Sequence, residues 1–254
     1  MEVGIEDLNF FDVTRSIFTL ISVVMVMIVG IKIMLNYRKH EKIIFLTIGL
    51  ALIFFGSFYW SNAFSFISII IFRYGFDPPL YIFFSNVFLP LGVICWVYSM
   101  YKLVLNKYNK DISIIVSVIS IAYLIFVLIA LGSGNYELVG SPHSSSAIFD
   151  YKRTLISQIF PIFIGVVYGI TGLKFGIDSI SSSESTLIWK GRFFIASIVC
   201  YFIVLTVDGI FTGQQYCVLR ILTRMMLIVS SILYYFGFLL PEKVANILIK
   251  ESDN

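Results

Sequence analysis

The 254 residues are 59% hydrophobic and only 13% charged, with a formal net charge of +3. Soluble domains carry about 25% charged and about 45–50% apolar residues, so a water-solvated fold cannot absorb this surplus and the chain reads as an integral membrane protein. The small, scattered positive balance argues against nucleic-acid binding, and two histidines with three cysteines (Cys95, Cys200, Cys217) at no metal spacing argue against a metal cluster or a disulfide framework.

The opening segment, MEVGIEDLNFFDVTR, carries Glu2, Glu6, Asp7 and Asp12 against a single Arg15. Secretory signals begin with positive charge, so this is expected to be an acidic tail ahead of a retained first helix. A crossing needs about 20 apolar residues, and runs of that kind occur at Ile17–Leu35, Ile43–Ala63, Leu80–Tyr101, Ile112–Leu131, Thr154–Leu173, Phe193–Thr212 and Cys217–Leu240. The expected fold is therefore all-α, a single seven-transmembrane-helix bundle over residues 1–254. The second run stays apolar to Phe72, which predicts either a tilt or a bend at Ser61-Asn62.

Asp77 before Pro78-Pro79 predicts a helix cap, Asp111 a cap on the fourth span, and Pro241 the end of the seventh. Pro90 and Pro161 are expected to kink spans three and five. Gly165 and Gly169 stand at small-xxx-small spacing, followed by Gly172 and Gly176, predicting a close helix contact within the bundle or across a dimer. The loop 132–153 is expected to be a connector or a lid, and the serines of GIDSISSSESTLIWKGR a flexible linker or a phosphorylation site.

Lysine and arginine in short loops set orientation. One side receives Arg38, Lys39, Lys42, Lys102, Lys107, Lys110, Lys174, Lys190, Arg192, Lys243 and Lys250; the other receives Arg15, Arg73, Lys152 and Arg153. The N-terminus is expected outside and the tail inside, in a multi-pass protein of the cell membrane. Spans one to three and five to seven echo each other weakly in their basic entries, which suits a 3+1+3 pseudo-repeat.

Charge inside the seventh span is the main functional signal. Arg220 and Arg224 share a helix face that continues through Ser231 and Tyr235. On the sixth span Ser197, Tyr201, Asp208 and Thr212 form a second polar stripe. Spans six and seven run antiparallel through a short loop, so Asp208 matches the arginines in depth at about 1.5 Å per residue and is expected to pair with one of them. Asn86, Gln158, Trp60 and Asn62 fall in the same outer layer. A surplus of positive charge there suits a small anionic or carboxylate-bearing ligand from outside. The same residues could instead lock helices together.

Known seven-span chemistries fit poorly. Microbial rhodopsins need a Schiff-base lysine in the last helix, and none occurs between Cys217 and Glu242. No Asp-Arg-Tyr-like motif follows span three, as large G-protein-coupled receptors would show. One intramembrane acid and two loop histidines do not assemble an intramembrane protease, so no enzyme and no cofactor are expected. LRILTRMMLIVSSILYYFGFLLPEKV, with WKGRFFIASIVCYF and, more weakly, FLPLGVICWVY, resembles archaeal multi-pass membrane proteins of uncharacterised function. That resemblance implies fold and membrane residence only. Three functions suit these residues: a receptor-like or sensory bundle with an inner signalling partner, a small secondary transporter of two three-helix halves, or a non-catalytic assembly subunit.

Overall fold

The computed structural model describes residues 3–104, 110–142, 151–210 and 216–252. Among these, seven helical segments are long and apolar enough to cross a membrane: Phe10–His40, Ile43–Phe72, Pro78–Leu103, Lys110–Gly132, Leu155–Ile180, Ser185–Asp208 and Val218–Phe238. The chain is a polytopic all-α bundle. Thr212, His143, Lys107 and the serines at 144–146 lie outside the described residues, as do the side chains of Cys217 and Lys250.

Span one is α1 (Phe10–Leu35), capped by Asn9, whose side chain accepts the Asp12 amide. A single turn, α2 (Tyr37–His40), and α3 (Ile43–Phe55) follow. Span two then breaks. Gly56–Tyr59 winds as a 3-10 turn before α4 (Trp60–Phe72) resumes. The bend thus comes a turn earlier than Ser61-Asn62, at a Gly-Ser pair, where a helix loses both propensity and rigidity. Span three also divides, into α5 (Pro78–Asn86) and α6 (Phe88–Leu103). Its bend at Val87 lies just before Pro90, whose ring clashes with the carbonyl four residues back, that of Asn86.

Asp77 occupies the cap position of α5 but makes no side-chain capping bond. Prolines at the first two helical positions offer it no N–H, and it accepts the Tyr74 hydroxyl instead at 2.6 Å. That bond lowers the Asp77 pKa and raises that of Tyr74. Asp111 lies inside the first turn of α7 (Lys110–Gly132), where a carboxylate favours the helix dipole. The α7 helix packs mainly on α6 and exposes a long apolar face to lipid, including Ile115, Val118 and Ile129.

The connector after α7 contains two three-residue strands, β1 (Gly140–Pro142) and β2 (Tyr151–Arg153), paired antiparallel with Gly140 opposite Arg153. Helix α8 (Leu155–Ile180) runs through Pro161 without a break in its helical residues. Only residues 181–184 separate it from α9 (Ser185–Ile210), so most of the serine-rich stretch lies within the ends of α8 and α9 and the linker is short. The α10 helix (Cys217–Phe238) ends before Pro241, and α11 (Glu242–Ser252) follows, resting on α9.

Helix crossings are set by glycine, and within the expected run on α8 they fall at Gly172 and Gly176, not at Gly165 and Gly169. On α1 and α3 a Cβ added to Gly49 would lie 2.5 Å from the Gly30 carbonyl oxygen. Between α8 and α9 a Cβ on Gly191 would lie 2.8 Å from the carbonyl oxygen of Gly176. Gly49 is the seventh residue of α3 and Gly191 the seventh of α9, so the two halves share one crossing pattern. Gly165 faces Leu205 of α9 at 3.5 Å, and Gly169 has nothing within 4 Å of an added Cβ. Both glycines are themselves buried.

Candidate functional site

The 3-10 turn positions the site. Its two successive rings each receive an arginine: the Arg153 guanidinium lies 3.9 Å from the Phe58 ring centroid, and that of Arg224 lies 4.3 Å from the Tyr59 centroid. Desolvated cation–π contacts of this kind contribute about 2 kcal/mol. They come from opposite parts of the chain, β2 and α10, and meet at the break in span two.

Asp208 pairs with Arg224, not Arg220. Arg224 Nη1 donates to Asp208 Oδ2 at 2.6 Å, with both side chains under a tenth exposed. The carboxylate also accepts the Tyr59 hydroxyl at 2.9 Å and the Thr223 hydroxyl at 3.1 Å. Arg224 Nε donates to Thr19 Oγ1 at 3.2 Å, and Thr19 in turn donates to the Arg15 carbonyl. The pair therefore knots α1, the broken turn, α9 and α10, with every charge met by a hydrogen bond. A buried pair of this quality is neutral and closed to an incoming anion.

The other expected site residues divide between two places. Asn86 is buried: its Nδ2 donates to the Ile82 carbonyl and Ser85 Oγ, and its Oδ1 accepts the Tyr123 hydroxyl at 2.9 Å. Asn62 accepts the hydroxyl of Tyr81, linking α4 to α5. Trp60 is buried among Phe54, Phe64 and Phe88, not set in an interfacial belt, and its Nε1 has no hydrogen-bond partner among the described residues. Gln158 is exposed and donates to the Arg153 carbonyl. Arg220 is partly buried, and its carbonyl accepts the Thr223 hydroxyl. Tyr123→Phe is expected to cost about 1 kcal/mol in thermal unfolding, because Asn86 Oδ1 loses its donor.

Arg153 is the residue that sequence reasoning misplaced. It counts toward the loop charges, yet its guanidinium enters the bundle and its Nη1 is buried without a hydrogen-bond partner among the described residues. Burial lowers its pKa from the ordinary value, opposed by Tyr123, Tyr81, Tyr59 and Asp208 around it. Arg15 is likewise buried and pairs with Asp12 at 3.4 Å. Of the four basic residues assigned to that side, only Arg73 and Lys152 are exposed, so the charge asymmetry between the two surfaces is steeper than the raw count. Tyr59, Thr223 and Thr19 also belong to the site. Their one sequence signal is adjacency, Tyr59 to Trp60 and Thr223 to Arg224.

No protein-family model, curated protein or solved structure matches the chain. The weak archaeal resemblance therefore transfers no residue role, and the reading of the site rests on its geometry.

Proposed function

We propose that this protein is a receptor-like seven-helix bundle that binds a carboxylate-bearing or small oxoanionic ligand from the side carrying the N-terminus, with Arg153 as the cationic anchor. The buried Nη1 of Arg153, which makes no hydrogen bond among the described residues, carries this reading. Buried polar groups in native proteins are almost always hydrogen-bonded, and a guanidinium fork suits paired contact with a carboxylate. The Tyr81 and Tyr123 hydroxyls donate to Asn62 and Asn86, respectively, and those two residues set the tyrosine positions nearby. Arg224 and Asp208 are supporting structure in this reading, holding Tyr59 and the broken turn beside Phe58.

The test is thermal unfolding of the purified protein against formate, acetate, succinate, phosphate and sulfate. An anion at 100 times its Kd is expected to stabilise by about 2.7 kcal/mol, and Arg153→Gln is expected to abolish that shift while still folding. If no anion moves the wild-type midpoint, or if Arg153→Gln retains the full shift, the reading fails.

A transporter remains the second reading because spans two and three are both discontinuous, at Gly56–Tyr59 and at Val87. Discontinuous spans are the usual means of building a transport site. Proteoliposome uptake that depends on Arg153 would promote it above the receptor.

A further inference from the structure

A cavity of about 20 Å³ lies deeper in the bundle, beneath the Asp208–Arg224 pair. Its walls come from both three-helix halves: α1, α3 and the broken turn on one side, and α8, α9 and α10 on the other. It sits at mid-depth. Tyr168 is the fourteenth residue of the 26 in α8, and Ser197 the thirteenth of the 26 in α9. Tyr59 bridges the two levels, since it lines the cavity and donates its hydroxyl to Asp208.

The polar groups around this space divide sharply. Ser197 and Ser230 exchange hydrogen bonds with each other's carbonyls, and Ser231 donates to the Leu227 carbonyl. Those hydroxyls are satisfied. The hydroxyls of Tyr168, Tyr201 and Tyr234 have no hydrogen-bond partner among the described residues, although Tyr168 and Tyr234 are almost completely buried. Their rings cannot easily turn away. Tyr168 is wedged against Trp96 at 4.6 Å, Tyr201 at 5.3 Å and Phe55 at 5.4 Å, and Tyr234 against Phe194 at 5.4 Å.

The walls are mostly apolar, and a wholly apolar void would stay dry; a water needs about 10–15 Å³ of such space and two to four polar partners, which here the three tyrosine hydroxyls must supply. Orphaned buried hydroxyls are rare. We propose that the cavity is a binding site for one water-sized, neutral, hydrogen-bonding guest, bridging tyrosine hydroxyls between the two halves of the bundle. The guest's source is bulk water, and its place directly under Tyr59 links the outer ion pair to the centre of the protein. This site is separate from that of Arg153 and stands whether or not the latter binds an anion.

Two measurements on the full chain test it. A high-resolution map that resolves other internal waters is expected to show one ordered peak in the cavity. In parallel, Tyr168→Phe and Tyr234→Phe are expected to lower the unfolding midpoint by about 2–4 °C each, and the double variant by less than their sum, because both hydroxyls hold the same guest. Conservative loss of one oxygen leaves the ring packing intact, so folding is retained. An empty cavity in such a map, or fully additive midpoint losses, overturns the proposal.

Discussion

Arg224→Ala is expected to destabilise the protein by about 3–5 kcal/mol, the usual consequence of leaving one member of a buried ion pair behind. Asp208 would keep the Tyr59 and Thr223 hydroxyls but lose its 2.6 Å contact with the Arg224 guanidinium. Thr19 and the Tyr59 ring would lose a partner at the same time. Thermal unfolding in detergent should show a midpoint drop of roughly 10 °C, using about 2–4 °C per kcal/mol for a chain of this size. The double variant Arg224→Met with Asp208→Leu should recover most of that loss, because desolvating two charges costs nearly as much as their attraction returns. A loss below 1 kcal/mol for Arg224→Ala would mean that the pair does not hold these helices together. Under the proposed function this variant weakens the scaffold, whereas Arg153→Gln removes ligand response without comparable destabilisation.

The second large effect is expected where backbones touch. An alanine at Gly49 places its Cβ 2.5 Å from the Gly30 carbonyl oxygen and 3.0 Å from the Met34 amide nitrogen. Both are backbone atoms of α1, so nothing flexible can yield and the helices must separate. Gly191→Ala meets the Gly176 carbonyl oxygen at 2.8 Å and the Ile180 nitrogen at 3.0 Å. Each is expected to cost about 1–3 kcal/mol, as overpacking does, or to prevent accumulation of monodisperse protein. Gly169→Ala is the control. With nothing within 4 Å of its added Cβ, it should be neutral or slightly stabilising, since alanine is the better helix former. Equal damage at Gly49 and Gly169, measured by unfolding midpoints and size-exclusion profiles, would contradict this description of the crossings.

The contrast between these glycines shows what local pattern reveals and what it conceals. The spacing of Gly165 and Gly169 is a recognisable motif, whereas Gly49 and Gly191 each stand alone. Spacing reports which residues share a helix face. It does not report how far along that face the neighbouring helix crosses, and the crossing falls at Gly172 and Gly176 instead. Pro90 was more legible: its steric conflict is with its own chain, so the bend just before it follows from local chemistry. The break in span two was anticipated in kind but displaced, because the helix yields at the weaker Gly56-Ser57 pair before reaching Ser61-Asn62.

The polar layer was legible in part for the same reason. Asp208 and Arg224 could be matched because two antiparallel helices joined by a short loop have a fixed depth relation, and depth is arithmetic at about 1.5 Å per residue. Choosing Arg224 over Arg220 needed the direction of the face toward α9 and α1, which packing sets. Arg153 was hidden more deeply. A basic residue before a helix ordinarily points to water, and only the folded connector turns this one inward onto Phe58. The cavity was legible only in part: Ser197, Tyr201 and Ser231 stand on the two polar stripes, whereas Tyr168 and Tyr234 read individually as ordinary aromatic packing.

The sequence by itself determined that this chain crosses a membrane seven times, where those crossings lie, and that charge is buried in the last two. Such properties follow from transferring residues between water and hydrocarbon, a cost that each segment carries independently of its neighbours. The tertiary structure alone decided which arginine is neutralised and which is left with an unmet donor, where helices touch backbone to backbone, and that four tyrosines surround one small space. Those outcomes depend on distances between segments far apart in the chain, and no periodicity within one segment encodes them.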